Sequence, residues 1–407
     1  MLGSERCQMK LGHAGDAGMT AGMTAGVDLT LDERHSRYRA LARRVAGMRL
    51  ARDYQRREQR GFVEPELVRE LGRLGLIAPE VPEHLGGRGV DCVTAGIVTE
   101  EIARGDFNVA YLQVLGSLVS QIIAGTARPD IAAEYVPRIC NGEQIVGLGL
   151  SEPEAGSDAG MAAMRARRVR DGYVLDGQKS MSFCMQASAA VVFARTGPQV
   201  RGRAISAFLV PLEADGVSRE RFADLGASAV GRGAAHFNGV WVPEDRLLGE
   251  EGTGFSQVLR GLDYSRALIG LQCVGAAQVS VEETWEYVSA RRAFDQPLST
   301  FQGVSFPLAE AETLLTAARA LCRETLSLKD RGLPHTAQAA MCKWWVPKIS
   351  TEIIQNCLLL HGQAGYKTDR PLQQRLRDVL GLQIGDGTAQ IMKLIIARQK
   401  LGRALAP

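Results

Sequence analysis

The spacing of apolar residues divides the chain into three consecutive parts. In residues 29–126 apolar side chains recur three and four positions apart, with charges on the opposite face, which predicts helices. In residues 144–248 the period shortens to two, and short β-branched runs alternate with turn signals, which predicts a small antiparallel β unit. The helical period then returns in four long segments, at 256–290, 304–331, 337–362 and 387–403. The pattern therefore predicts a mainly α protein with a central β unit and a C-terminal four-helix bundle.

These changes of period also place the domain boundaries. We predict a flexible tail at 1–27, an N-terminal helical domain at 28–143, a β domain at 144–252 and a helical bundle at 253–407. The tail is rich in Gly, Ala and Met and lacks the continuous apolar core of a signal peptide.

Composition excludes several classes of function. Lys plus Arg number 48 against 45 Asp plus Glu, so no basic field favours nucleic acid. The eight cysteines are scattered without a CxxC pair, and their placement relative to the histidines does not suggest a zinc site, so no metal site is predicted. The most apolar segment, 108–127, is interrupted by Gln and Ser and falls short of the ~20 apolar residues of a membrane span. With no export or anchoring signal, a cytoplasmic location is expected.

Four motifs carry candidate chemistry. Each has an ordinary structural explanation: a Gly-rich loop after a strand, packing residues, a solvated arginine face, and a turn between helices. The motifs are GLSEPEAGSDAG at 149–160, GQKSMSFCM at 177–185, ARRAFDQPL at 290–298 and LLHGQAGYKTD at 359–369.

A fifth stretch, GLQIGDGTAQIMKLIIARQK at 381–400, places Asp386 between two glycines and before an apolar run with helical spacing. Taken alone, Asp386 is explained as the N-cap of the last helix, because its carboxylate can accept backbone N–H bonds of the first turn.

The order helices, β unit, helical bundle, together with these motifs, resembles the acyl-CoA dehydrogenase flavoprotein family. The resemblance covers about residues 30–405 and is strongest in EPEAGSDAG, RRAF and the run into DGTAQI. It implies FAD as cofactor, an acyl-CoA substrate, electron-transferring flavoprotein as acceptor, and a homotetramer.

The resemblance also assigns residues. Its FAD contacts fall on Leu150, Ser151, Gly156, Ser157, Ser182, Arg291, Phe294, Gln302, Gln363, Thr388 and Gln390. Of these, Arg291, Phe294 and Gln302 match positions that reach the FAD of a neighbouring subunit. Substrate contacts fall on Ser157, Asp263, Arg266 and Gly387. Ser182 is the candidate hydroxyl beside flavin N5, with Met181 as an apolar neighbour, in a segment where the family usually has Trp and Thr.

By the same resemblance Asp386 is the catalytic base, which removes the α proton while the β hydrogen leaves as hydride to the flavin. Most members carry glutamate after an aromatic residue, whereas this chain has Gly385 and Asp386. The shorter side chain withdraws the carboxylate by about 1.5 Å, and a displacement of that order can cost about 100-fold in rate. This variant resembles cyclohexane-1-carboxyl-CoA dehydrogenases, and together with Gly385, which would widen the pocket, it favours a bulky, α-branched acyl group.

Four alternatives remain. A short or branched-chain acyl-CoA dehydrogenase of another pathway is the nearest. Nitroalkane oxidases also use an aspartate, paired with an arginine seven residues on, where this chain has Lys393. A DNA-associated flavoprotein would carry a basic C-terminal region, and a helical scaffold would bind no cofactor.

Overall fold

A computed structural model describes residues 31–198 and 201–402 of the chain. The predicted tail at 1–27 lies outside the described residues.

Six α-helices form the described portion of the N-terminal part, from residue 31 onward. They are α1 Glu33–Val45, α2 Tyr54–Arg60, α3 Pro65–Arg73, α4 Cys92–Gly105, α5 Phe107–Thr126 and α6 Pro129–Cys140. Local sequence sets several of the starts: the side chains of Asp32, Asp91 and Asp106 accept N–H bonds at the beginning of α1, α4 and α5. Proline occupies the first turn of α3 and α6, where its missing N–H costs nothing.

The middle part is one sheet of eight strands. They are β1 Val146–Gly149, β2 Arg165–Val169, β3 Gly172–Met181, β4 Ala189–Arg195, β5 Ile205–Pro211, β6 Val217–Arg221, β7 Gly233–Pro243 and β8 Leu247–Leu248. The order is β6-β7-β3-β2-β4-β5-β8, with β1 paired to β4. Most pairs are antiparallel, as predicted, but β1 runs parallel to β4, so the sheet is mixed. β1 follows helix α6 and is not joined to β4 by a hairpin, so the antiparallel direction that a hairpin imposes does not apply to this pair.

The C-terminal part is helical apart from one small hairpin, formed by β9 Arg292–Ala293 and β10 Gln296–Pro297. Its helices are α7 Gly254–Ala290, α8 Gln302–Asp330, α9 Thr336–Leu360, α10 Leu372–Gly381 and α11 Ala389–Leu401. The four long segments predicted from the sequence are α7, α8, α9 and α11, and the short α10 is an addition.

Helix α5 is long and apolar enough to cross a bilayer by composition, and 83% of its most apolar window is buried inside the protein. It lies against α7 at the centre of the molecule, where Gln272 donates to the Phe107 carbonyl oxygen at 2.8 Å. The burial of α5 is typical of a core helix, and it makes α5 a fixed wall for whatever lies beside it.

One buried carboxylate joins all three parts of the chain. Asp378 of α10 accepts hydrogen bonds from the Tyr54 hydroxyl at 2.6 Å, the Asn108 amide at 3.0 Å and the Ala227 backbone N–H at 2.6 Å. Tyr54 lies in α2, Asn108 in α5 and Ala227 in the β domain. Asp378 is 1% exposed, and burial raises the pKa of its carboxyl to about 7.

The raised pKa of Asp378 predicts a pH-dependent contribution to stability. An aspartate in an unfolded chain has a pKa of about 3.9. The folded state therefore holds the Asp378 proton more tightly, and the stability from this group, present at low pH, declines as the pH rises from about 4 to about 7. Asp378→Asn resembles the protonated form. Its melting temperature should rise relative to the unmodified protein between about pH 5 and about pH 8, measured by thermal unfolding.

The exposed Asp215 provides the control for this prediction. Asp215→Asn should leave the difference in melting temperature constant over the same pH range. A constant difference for Asp378→Asn as well would show that the three-part junction holds an ionised carboxylate without cost.

Candidate active site

The turn between α10 and α11 presents Asp386 in a backbone conformation that few residues adopt. Asp386 has φ +55° and Gly387 has φ +107°. Aspartate tolerates the left-handed region better than most side chains do. At Gly387 the positive φ favours glycine, and an added Cβ would in addition lie 2.5 Å from the Met392 Cε atom, which would have to move.

Thr388, not Asp386, caps the last helix. The Thr388 side chain accepts from the Ile391 N–H at 3.4 Å, and α11 begins at the next residue, Ala389. The carboxylate of Asp386 is therefore free of the capping role that local sequence alone suggests for it.

Asp386 instead faces a tyrosine of the core helix α5. The Tyr111 hydroxyl donates to Asp386 Oδ2 at 3.1 Å, and Ser182 Oγ lies 3.5 Å from the same hydroxyl. Burial, followed by the Asp386 charge, raises the pKa of Tyr111, so the phenol stays protonated and acts as donor. The three side chains link the C-terminal turn, the core helix and the β domain.

In the turn after β3, the side chains of Met181 and Phe183 are buried and that of Ser182 between them is partly exposed. Phe183 has φ +53°, is fully buried and lies parallel to the Tyr111 ring, at 6.4 Å between centroids. Met181 is buried under β1, where its sulfur lies 3.1 Å from the position of a Cβ on Gly147. Ser182 is partly exposed between them. Of Ser182 and Phe183, the serine is thus the residue whose side chain reaches the Tyr111 hydroxyl, which in turn donates to Asp386.

Two predicted substrate residues of α7 lie below the Asp386 turn. Arg266 is 4% exposed and its Nη1 donates to Asp263 Oδ1 at 2.7 Å, while Asp263 Oδ2 accepts from the Thr336 hydroxyl at 2.6 Å. Arg266 Nη2 is 4.0 Å from the position of a Cβ on Gly387. Burial lowers the pKa of Arg266, and the charges of Asp263 and Asp386 oppose that shift. The buried Arg266 Nε has no partner among the described residues.

Lys343 of α9 is a second buried cation at this turn. It is 1% exposed, and its ammonium donates to the Leu382 carbonyl and, at 3.2 Å, to the Gly387 carbonyl. Burial lowers the pKa of Lys343 to about 8, although the Asp386 charge acts in the opposite direction. One side chain thus fastens both ends of the turn that carries Asp386.

A buried ion pair holds the loop of the first motif. Lys179 Nζ donates to Glu152 Oε1 at 2.7 Å and to the Leu150 carbonyl at 3.0 Å. Glu152 also accepts the N–H groups of Ala163 and Met164. With the loop fixed this way, the predicted residues Ser151, Gly156 and Ser157 are all exposed.

The remaining predicted FAD contacts lie away from Asp386 or at the end of its turn. Arg291, Phe294, Gln302 and Gln363 are exposed, and Phe294 is 88% exposed at the tip of the β9–β10 hairpin. Thr388 is partly buried and Gln390 exposed. The structure therefore brings Ser182, Asp263, Arg266, Asp386 and Gly387 together and leaves the residues predicted to serve a neighbouring subunit on the surface.

Tyr111 and Lys343 were missed by the sequence interpretation. Tyr111 stands in an apolar run that indicates only a buried helix. Lys343 carried a usable signal, since a single lysine in the apolar run AAMCKWWVP needs a buried partner. Lys393, the position of the nitroalkane-oxidase arginine, is exposed, and its ammonium lies over the Trp344 ring at 4.6 Å.

Comparison with known proteins covers nearly the whole chain. Three family descriptions match: "Acyl-CoA dehydrogenase, N-terminal domain" over residues 32–143, "middle domain" over 147–240 and "C-terminal domain" over 252–401.

Individual relatives extend this likeness. The chain is 34% identical over 370 residues to the mitochondrial short-chain specific acyl-CoA dehydrogenase of Rattus norvegicus, covering 90% of each. The butyryl-CoA dehydrogenase of Megasphaera elsdenii superposes with a TM-score of 0.89 at 27% identity, over 92% of this chain and 100% of that one. A glutaryl-CoA dehydrogenase of Mycobacterium smegmatis, in complex with FADH2, superposes with a TM-score of 0.87 at 25% identity, over 92% and 96%.

Proposed function

The chain belongs to the acyl-CoA dehydrogenase family, and we propose that it dehydrogenates an alicyclic or α-branched acyl-CoA, such as cyclohexane-1-carboxyl-CoA, with Asp386 as the base. Its family makes it an FAD-dependent enzyme that acts on acyl-CoA thioesters. The particular base, the acyl group and the contacts are our proposal.

The residues at the site fit FAD. An added Cβ at Gly156 would meet nothing within 4 Å, so the loop of the first motif leaves space for a flat group close to its backbone. The exposed hydroxyls of Ser151 and Ser157 and the partly exposed Ser182 supply hydrogen bonds. When bound, FAD supplies a two-electron acceptor. We propose that Leu150 and Thr388 complete this site, with Gln390, and that Arg291, Phe294, Gln302 and Gln363 reach the FAD of another subunit in a homotetramer.

The single observation that supports Asp386 as base is its direction. Its carboxylate lies outside its own helix and within hydrogen-bond distance of Tyr111, which also reaches Ser182. A proton α to a thioester is very weakly acidic, and its removal needs a base placed by geometry. Arg266 and Lys343 are buried next to the turn, and their positive charges would favour a negatively charged enolate oxygen as it forms.

The acyl group is inferred from the two departures at 385 and 386. Aspartate in place of glutamate withdraws the carboxylate by about 1.5 Å, so the substrate must bring its α carbon closer. A tertiary α carbon in a ring does so, because the ring holds the thioester and the α hydrogen in a fixed relation. We propose further that Ser157, Asp263, Arg266 and Gly387 contact the thioester and its CoA arm, and that electron-transferring flavoprotein takes up the electrons in the cytoplasm.

The substrate proposal is tested by mixing the purified yellow enzyme anaerobically with a panel of acyl-CoAs and following loss of flavin absorbance. Cyclohexanecarboxyl-CoA is expected to reduce the flavin at least about 10-fold faster than butyryl-CoA or octanoyl-CoA, in keeping with the rate cost of a misplaced base. Asp386→Glu should reverse the order, because the longer side chain overlaps the ring and reaches a straight chain. Equal rates with linear thioesters in the unmodified enzyme would exclude the alicyclic proposal.

A short or branched-chain acyl group is the second candidate, favoured by the 34% identity to a short-chain specific enzyme. The same panel separates the two. Faster reduction by butyryl-CoA or 2-methylpropanoyl-CoA than by the ring thioester would support it.

A further inference from the structure

We infer that Tyr111 closes the acyl site and positions Asp386, so that the enzyme accepts only compact acyl groups. The inference rests on the proposed function, since it concerns the space between the proposed base and the flavin side of the site.

The position of the Tyr111 hydroxyl supports the first role, closure of the acyl site. Tyr111 OH lies 3.1 Å from Asp386 Oδ2 and 3.5 Å from Ser182 Oγ. In the proposed reaction the acyl carbons pass between the base on one side and Ser182, at the flavin, on the other. A hydroxyl that contacts both sides at once leaves no passage for further carbons between them. Tyr111 therefore stands across the site as its end wall.

The wall is rigid. Tyr111 belongs to the core helix α5, whose next residues Leu112, Val114 and Leu115 are buried. Its ring packs at 22° to the plane of the Phe183 ring, and Phe183 is fully buried with its N–H bonded to the Val230 carbonyl at 2.8 Å. Swinging the phenol aside would disrupt close-packed neighbours, which costs more than a surface rotamer change.

Gly385 has no side chain that could limit the acyl site from the Asp386 turn, so the limit is set by Tyr111 of α5. An added Cβ at Gly385 would lie 3.6 Å from the Gly381 carbonyl oxygen, which is ordinary van der Waals contact, so the turn has room there that no side chain fills. The absent aromatic at 385 was expected to widen the pocket. The Tyr111 ring, which belongs to α5, limits that widening. The inferred acyl site is therefore broad around the α carbon of the substrate and has little depth for carbons farther along the acyl chain.

The hydrogen bond from the Tyr111 hydroxyl to Asp386 supports the second role, positioning of the carboxylate. The Tyr111 hydroxyl donates to one oxygen of the Asp386 carboxylate, which fixes the orientation of that side chain and leaves the other oxygen to take the proton. The other charged groups that act on Tyr111 or Asp386 are Arg266 of α7, Lys343 of α9 and Arg232 before β7. Asp263 neutralises part of the Arg266 charge through their ion pair at 2.7 Å. Arg266 and Lys343 act on Asp386 through their charges, whereas Tyr111 donates a hydrogen bond directly to its carboxylate.

Binding of unreactive S-alkyl-CoA thioethers tests the wall without any turnover. Butyl, cyclohexylmethyl, octyl and dodecyl thioethers are titrated calorimetrically into the FAD-loaded enzyme. The unmodified enzyme should bind the first two and bind the octyl and dodecyl compounds at least about 10-fold more weakly, whereas Tyr111→Ala should bind the longer compounds at least about 10-fold more tightly than the unmodified enzyme does. Tyr111→Leu serves if the alanine variant does not fold. Unchanged chain-length preference in these variants would overturn the wall.

Separate measurement of kcat and KM with the best substrate tests the positioning. Tyr111→Phe keeps the ring and removes the hydrogen bond that orients the Asp386 carboxylate, so kcat should fall by about 10-fold while KM stays within about two-fold and the preference for chain length stays the same. Tyr135→Phe, at a buried tyrosine of α6, is the control and should change neither constant. An unchanged kcat in Tyr111→Phe would overturn the positioning role.

The two experiments also separate this inference from the proposed function. If the unmodified enzyme binds no thioether and no acyl-CoA reduces its flavin, the proposed function fails. If the unmodified enzyme does both and the Tyr111 variants match it, the function stands and the inference about Tyr111 fails.

Discussion

Asp386→Asn is expected to lower the rate of flavin reduction by acyl-CoA by at least about 1000-fold, within the range for loss of a general base. The amide has nearly the same shape as the carboxylate and can still accept from Tyr111, but it cannot take up the α proton. Among the described side chains that contact the turn, Arg266 and Lys343 do not replace this base, because Arg266 is paired with Asp263 and the Lys343 ammonium donates to two backbone carbonyls. The measurement is anaerobic stopped-flow absorbance of the flavin.

Binding should survive this change. The S-alkyl-CoA thioethers should bind Asp386→Asn within a few-fold of the unmodified enzyme, and the bound FAD content should be unchanged. The exposed Asp130 of α6, paired with Arg128 at 3.1 Å, provides the matched control, and Asp130→Asn should reduce at the normal rate. Fast flavin reduction by Asp386→Asn would assign the proton removal to another group.

Lys343→Met should lower kcat/KM by about 100-fold, the cost of misplacing a catalytic group by about 1 Å. Methionine fills similar space but donates no hydrogen bonds, so the carbonyls of Leu382 and Gly387 lose their shared donor and the turn between them loosens. The loss also removes a buried positive charge next to Asp386. Steady-state kinetics with the best substrate measure the effect.

Lys348 offers a matched control five residues further along α9. Its ammonium is bonded at 2.7 Å to Glu352 on the exposed face of the same helix, and Lys348→Met should leave kcat/KM within about two-fold, as expected for a surface ion pair. The circular dichroism of both variants should match that of the unmodified protein. Normal kcat/KM in Lys343→Met would show that the turn keeps its shape through its own backbone bonds, such as Gly385 N–H to the Gly381 carbonyl.

The sequence was sufficient for the fold because hydrophobic period is a local property. The change from helical spacing to alternation near residue 144, and back near residue 252, follows from which residues face a core, and those limits agree with the strand at Val146 and the helix at Gly254. The parallel pairing of β1 with β4 was not predictable in this way, since strand direction depends on how the chain returns to the sheet.

The site was only partly predictable. Ser182, Arg266 and Asp386, which the resemblance assigns to one site, lie near one another in the structure, although 204 positions separate Ser182 from Asp386 along the chain. Local sequence gave the opposite answer for Asp386, because an aspartate before an apolar run is usually a cap, and Thr388 two residues later proved to occupy that role. For Lys343 the sequence indicated a buried cation only through the apolar residues on either side of it.

By itself, the sequence determined the mainly α fold with a central β unit, the family and the identity of the shortened acid at 386, since these follow from residue order and spacing. Tertiary structure alone decided what that acid contacts. Tyr111 approaches from a helix 275 residues away and Lys343 from a third helix, and both reach the turn only because α5, α7 and α9 pack side by side. Hydrogen bonds and buried charges act over a few ångströms in space, so distance along the chain carries no information about them.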